Sequence, residues 1–438
     1  MGSKWSRRQV LKGAAGAGAG LAMGGVSGTL LAAPAIKLGS DKLTYWAEKT
    51  FSERVNSVVS DAVDEWARSN GVQAEVVFLS PGEQTPKTIS AAASNTLPDL
   101  IDILHQPLLL LSKRGIFLQV DDLFAKIGER NGGWVPSVVA GTDMSRAVGG
   151  RMGVPRSYQT QMLLRRKDAL AEAGFTAPPE TWDETVAQAA AAQQPPLYGL
   201  GIALAMTEDS FSIPFLQSFG GRLADDDGKR VVIKSAETRA YLDWVADAYR
   251  RDLFSPGAVT WDASGDNQAF LSGQSIFALN TGSIGRTAFT QDPELYESIG
   301  YSMVPRGPKL QVDPIQPSYR AIPASSPNAD AAKSLIEHLT TESFLAAFHE
   351  GGYYPPSFQR QAQTAMFAGG DEILTSLAGI VHTTTAPGWP DVNNEAFAEA
   401  YNGFVVTRMV QAVLLGQASI DVAMDDAQVA LEAIYAKY

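Results

Sequence analysis

Cysteine is absent from all 438 residues, which excludes disulfides, thiolate nucleophiles, cysteine-ligated zinc or iron–sulfur centres and a lipid-modified N-terminal cysteine. Histidine is almost as scarce: His105, His338, His349 and His382 are scattered and form no H-E-x-x-H zinc pair. Three further signatures are missing, namely the G-x-S-x-G elbow, the G-x-x-x-x-G-K-[ST] phosphate loop and a dinucleotide fingerprint behind a strand. The sequence therefore names no catalytic residue, no metal ligand and no cofactor. A two-carboxylate glycosidase stays open at this point, because its acids need not be neighbours in sequence. There is also no basic tract: Lys and Arg number 35 against 47 Asp and Glu, a net charge of −12 that argues against nucleic acid or an anionic membrane as partner. What is present is a 45% hydrophobic, 19% charged chain, apolar enough to build a large core and long enough for two or three domains of roughly 100–200 residues.

The first 35 residues carry Lys4, Arg7, Arg8 and Lys12, no acid, and a Gly/Ala-rich stretch from Gly13 to Ala33. That is a targeting profile, too short of bulky apolar residues for a membrane anchor. Ser6-Arg7-Arg8-Gln9-Val10-Leu11-Lys12 resembles the twin-arginine export motif, with Val10 where Phe is usual, and Ala33-Pro34-Ala35 offers an A-x-A cleavage site. Residues 1–35 are expected to be a signal peptide and the mature chain a periplasmic protein; losing those four cations takes the charge from −12 to −16.

The mature chain opens as α/β. Lys42–Ala47 reads as a strand, Val55, Val59, Val63 and Trp66 recur on one helical face, Asn70-Gly71 stops that helix, and Val72–Leu79 reads as a second strand. This βαβ unit implies a right-handed crossover in a sheet buried on both faces, with Leu100–Leu104 as its third strand. After Gly149-Gly150 the pattern restarts: a strand-like run reaches Leu164, a helix spans Lys167 to Gly174, and a hairpin turns at Asp227-Gly228. Ser235 caps a helix expected to bury Ala240, Tyr241, Trp244, Val245 and Ala248. Asp225-Asp226-Asp227 lacks the twelfth-position carboxylate of a calcium loop, since Ala236 stands there, and reads as a solvated turn. The last stripe, from Ile420 through Ala423, Met424, Ala427 and Leu431 to Ile434, reads as core packing.

Aromatic and amide residues gather at strand ends and in Gly/Pro-rich loops: Tyr45, Trp46, Tyr158, Gln159, Trp261, Asn280, Tyr319, Tyr353, Tyr354 and Trp389. In an open α/β sheet ligands bind beyond the carboxyl ends of the strands. Flat rings with amides match the C–H faces and hydroxyls of a sugar, so a carbohydrate-like ligand fits this set.

The order of segments resembles the extracellular solute-binding proteins of ABC importers, the family that includes maltose-binding protein. The resemblance is carried by Lys42–Trp46, by Asn95–Asp102 with its Pro-Asp run into a strand, and by Gly149–Pro155 followed by Leu163–Asp168. It continues through Pro178-Pro-Glu-Thr-Trp-Asp-Glu184, Phe219–Leu223, Asn267–Gly273 and Ile322–Lys333. It implies two α/β lobes joined by a hinge of crossing strands, a periplasmic-binding-protein fold with an interlobe cleft. Lobe I is expected at 36–150 and 306–352, lobe II at 151–305 and 353–438. It further implies a non-catalytic monomer that delivers a small sugar-like ligand to the permease subunits of an importer, without a cofactor.

The resemblance also places the ligand-binding residues. Tyr45, Trp46 and Glu48 match the loop after the first strand, His105 the polar contact after the third, and Tyr158 and Gln159 the position after the crossover. Asn280 lies where the family often carries a Trp, Tyr319 and Arg320 replace a Gly-Gly pair, and Tyr353 and Trp389 are late aromatics. Arg156 leaves two readings open: a partner for an acidic or phosphorylated sugar, or half of a buried ion pair. An exported carbohydrate-active enzyme and a receptor for polyamine or another small metabolite are the alternatives.

Overall fold

Nine strands follow one another along the described residues: β1 Leu43–Glu48, β2 Ala74–Leu79, β3 Leu100–Leu104, β4 Val154–Gln159, β5 Met162–Arg166, β6 Tyr198–Gly201, β7 Ser275–Asn280, β8 Ile299–Ser302 and β9 Gln316–Ala321. The computed structural model describes residues 36–438 apart from 51, 206–208, 262–264, 370 and 381–382. The expected signal peptide and His382 lie outside the described residues.

The first sheet has the order β2-β1-β3-β9-β4 and the second β6-β7-β5-β8. In the first, β1 runs parallel to β2 and β3, in register Leu43↔Ala74 and Tyr45↔Leu100, while β9 is antiparallel to both β3 and β4. Helix α1, Glu53–Asn70, makes the β1–β2 crossover; Ser52 caps its start, and Gly71 ends it in the left-handed region at φ 65°, where a side chain would be strained. Its Val55, Val59, Val63 and Trp66 pack on Leu43, Tyr45 and Ala47 on one face of the sheet. The other face takes helix α3, His105–Ser112, whose Leu108 and Leu109 pack with Ile101, Ile103 and Tyr319. Helix α2, Pro81–Ser94, joins β2 to β3.

The second sheet has one large apolar cluster, which includes the C-terminal helix Ile420–Tyr435 through Ala423, Met424, Ala427 and Leu431, and a smaller one around β5 and the helix Glu372–Ile380. Ile420 and Ile434 are only partly buried. The helix capped by Ser235, Ala236–Arg250, buries Tyr241, Leu242, Val245 and Ala248, whereas Ala240 faces solvent. The expected hairpin is reduced to an isolated Ala224↔Val231 bridge, its turn held by Asp225 Oδ1, which accepts the amides of Lys229 and Arg230.

The chain passes between the lobes at points that differ from the expected 150/151, 305/306 and 352/353. Strand β4 belongs to the first sheet because its ladder partner is β9, so the first crossing is Thr160–Gln161. Residues up to Leu310 stay on the second lobe, tied by Arg306 N to Glu180 O and Leu310 N to Ser218 O, and Ile315 is already in the first core. Tyr353 inserts into the second lobe but Tyr354 and Phe358 return to the first.

Candidate functional site

The carboxyl ends of β1, β3 and β4 open on a cleft of about 1160 Å³ whose walls come from both lobes. Its floor is made of crossing strands, with Arg156, Gln159, Gln161 and Ser318 reaching into it.

Beneath the floor lies a buried charge network. The Arg156 guanidinium donates to Glu48 Oε2 at 2.6 Å and to Ser318 Oγ at 3.4 Å, and its Nε stands 3.6 Å from Asp102 Oδ2. Asp102 also accepts the Glu48 amide and the Tyr45 hydroxyl, at 2.9 and 2.7 Å. Arg320 closes the far side, 3.9 Å from Asp102 Oδ1, with donations to Tyr45 Oη and Leu339 O. Burial lowers the Arg156 pKa, but the Glu48 and Asp102 carboxylates more than offset it and hold the group above the ordinary arginine value. Two cations thus meet two anions, and the floor presents little net charge.

The second lobe contributes amides and hydroxyls. Asn280, last in β7, donates through Nδ2 to Asp266 Oδ2 at 2.7 Å and to Asn267 Oδ1 at 2.6 Å, while its Oδ1 accepts the Thr281 amide. Thr281 and Ser283, at the start of the helix Ser283–Gln291, stand beside it on the same wall with Arg286. This arrangement can bind polar groups; it holds no nucleophile–base pair, and no group of three or more metal-ligating side chains occurs among the described residues.

The family model described as bacterial extracellular solute-binding protein matches residues 61–373, most of the chain. The chain belongs to the bacterial extracellular solute-binding proteins. No curated protein matches it. Solved structures similar to this binding protein include maltose-bound MalE3 of T. maritima, at 21% identity and TM-score 0.77, with 90% of this chain and 99% of that one covered. An ABC transporter solute-binding protein from Thermotoga lettingae TMO, bound with α-D-tagatose, gives 20% and 0.78, covering 90% and 100%. One from Agrobacterium radiobacter K84 in complex with ribitol gives 19% and 0.76, covering 92% and 100%. At these identities the likeness establishes the two-lobed α/β fold.

Of the residues singled out from the sequence, Glu48, Arg156, Gln159, Asn280 and Tyr354 line the cleft of the binding protein. The other nine do not. Tyr45 alternates with Trp46 along β1 and so joins the core under α1, fully buried. Trp46 turns to the opposite face, where the Lys87 amine lies 4.8 Å from its ring centre. Tyr319 and Arg320 pack rather than fill the cleft, because β9 is central and covered on both faces. His105 is buried between Tyr319 and Asn393. Tyr158 donates to Pro356 O at 2.9 Å within the first core, and the Tyr353 hydroxyl donates to Asp371 in the second lobe. Trp389 stands 39% exposed on a turn away from the cleft, and Trp261 packs on the second core. The acidic-ligand reading of Arg156 meets a guanidinium already engaged by Glu48.

Tyr354 lines the cleft and hydrogen-bonds Arg156; burial pushes its hydroxyl up to about 12. The sequence placed it among the aromatics of the Gly/Pro-rich loops. Ser318, Gln161, Thr281, Ser283 and Arg286 carried no signal, since polar residues of these types recur throughout the chain.

Proposed function

We propose that this protein is the substrate-binding component of an ABC importer, taking a neutral sugar or polyol between its lobes and presenting it to the permease unchanged. The carrying observation is a two-lobed cleft with a neutralised floor and amide- and hydroxyl-bearing walls. Family membership supports it, as do similar structures that hold maltose, tagatose and ribitol. A polyamine would require unengaged carboxylates. Those on the walls are occupied: Glu48 by Arg156, Glu395 by Lys113, Glu399 by Lys437 and Asp266 by Asn280. Closure around such a ligand shifts the lobes toward the form a permease reads. The twin-arginine segment at 1–35 supports export of the folded chain to the periplasm; Arg7→Lys with Arg8→Lys should leave the protein in the cytoplasm.

A thermal-shift panel of maltose, tagatose, ribitol, sugar acids, glycerol phosphates and polyamines tests the assignment, because a ligand of the folded state raises its stability by RT ln(1 + [L]/Kd). A neutral sugar or polyol is expected to raise the melting temperature and to be recovered intact. A shift with diamines alone, or a cleaved or oxidised product, overturns the reading.

A further inference from the structure

One wall of the cleft is apolar. Along α2, Gly82, Pro86 and Ile89 fall on a single stripe that faces it, and Leu104, Pro107 and Leu110 extend that surface into α3. Ile89 is 49% and Leu104 41% exposed, so two of the large apolar side chains this molecule leaves to water stand on the same wall. Single exposed apolar residues are ordinary; a contiguous set inside a binding cleft signals something that covers it.

The opposite side of this end sets Tyr401 and Phe404 among the polar Glu395, Glu399 and Asn402. The helix Glu395–Asn402 packs against α3, placing Ala398 with Leu108 and Leu109, and the segment continues to Tyr401 and Phe404 on the cleft surface. At this end Lys113 Nζ lies 2.7 Å from Glu395 Oε1, and Arg114 also borders the cleft. A further group of polar contacts lies toward the other end. There Ser52 Oγ donates to Gly351 O, and the Arg286 guanidinium sits 5.3 Å from the Tyr353 ring, which marks where α1, the helix Glu342–Gly352 and the helix Ser283–Gln291 converge. The single cleft that joins both ends measures about 1160 Å³, beyond the roughly 300–1,000 Å³ usual for a small-molecule site.

We propose that the ligand is an uncharged amphiphile: a polyhydroxyl head held at Gln159, Asn280 and the Arg156–Glu48 floor, and a hydrocarbon segment laid along Ile89, Leu104 and Leu110. This rests on the sugar-or-polyol reading of the same cleft and narrows its substrate class. An alkyl or acyl group removes those side chains from water, which a free sugar does not.

Titration calorimetry of the mature protein with maltose against n-hexyl maltoside, and glucose against n-hexyl glucoside, all below micelle-forming concentrations, tests the inference. The alkyl glycoside is expected to bind at least about tenfold more tightly than its free sugar. In Ile89→Ser and Leu104→Ser, checked for folding by their urea midpoints, that ratio should fall toward one. Equal affinities for sugar and alkyl glycoside, or a ratio unmoved by both substitutions, overturn the amphiphile while the sugar reading stands. If neither member of either pair binds, the amphiphile is overturned, and the thermal-shift panel with tagatose and ribitol decides the sugar-or-polyol reading separately.

Discussion

His105 of the first lobe and Asn393 of the second share a hydrogen bond of 2.6 Å, Asn393 Nδ2 donating to His105 Nε2. The proton of the imidazole then belongs on Nδ1, which donates to Tyr319 Oη at 2.7 Å. Burial holds His105 down at about 4, so at neutral pH the ring is uncharged and Nε2 is an acceptor. With the neighbouring Lys113–Glu395 pair, this contact ties the lobes together.

Asn393→Ala should loosen that tie at a cost of about 1 kcal/mol and enlarge the ligand-free radius of gyration by small-angle scattering. An unchanged radius would mean that the bond follows the lobe spacing rather than setting it. Acid should act similarly. Because the folded pKa lies below the unfolded value near 6.5, the contribution of His105 is present above about pH 6.5 and is lost as pH falls toward about 4. His105→Gln should flatten that part of the stability profile.

Arg156 answers to two carboxylates at once. Removing it strands Glu48 and leaves Asp102, 1% exposed, with Arg320 alone at 3.9 Å. Arg156→Met is expected to destabilise by about 3–5 kcal/mol, the usual consequence of breaking a buried pair from one side. Urea denaturation measures this; a loss below about 1 kcal/mol would show that Glu48 reaches solvent and that the network is slack.

How far the sequence exposed this architecture follows from periodicity. The β1–α1–β2 unit and its Gly71 stop were readable because strand and helix repeats differ and the left-handed cap asks for glycine. The crossings were not readable: β4 joins the first sheet only through β9, more than 150 residues later, and no local signal reports that partner. The same limit governs the site. Gln159 and Asn280 end their strands and were found by that rule and Glu48 through the family resemblance, whereas Tyr45 sits three residues before the end of β1, where alternation turns it inward. Aromatic side chains drew attention as sugar platforms, yet a ring on a doubly covered strand such as Tyr319 is packing.

Gln159 and Asn280 face the cleft from opposite lobes. The Gln159 side chain makes no hydrogen bond among the described residues, so Gln159→Ala should leave the melting temperature nearly unchanged while weakening a bound sugar or polyol by about 1 kcal/mol or more. Asn280→Ala should weaken binding as well and lower stability, because Asp266 and Asn267 each lose a donor. Calorimetry paired with melting curves separates the two; equal affinity for wild type and Gln159→Ala would remove this residue from the ligand contacts.

Asp313 lies in the second crossing, 3% exposed, at the edge of a cavity of about 20 Å³ lined by Trp182, Phe211, Phe215 and Val304. It accepts the Gln161 amide of the first crossing, its Oδ1 has no hydrogen-bond partner, and no basic side chain pairs with it among the described residues. Burial pushes its carboxyl up to about 7. A folded pKa above the unfolded value near 3.8 gives a contribution that is complete below about pH 4 and is lost as pH rises through 7. The full span is about 4 kcal/mol. Asp313→Asn keeps the shape and removes the charge, so its stability advantage over wild type should grow by about 3 kcal/mol between about pH 5 and about pH 8.5. Urea midpoints at the two pH values give the comparison, and parallel profiles would mean that the carboxyl ionises in the folded protein as it does in the unfolded chain.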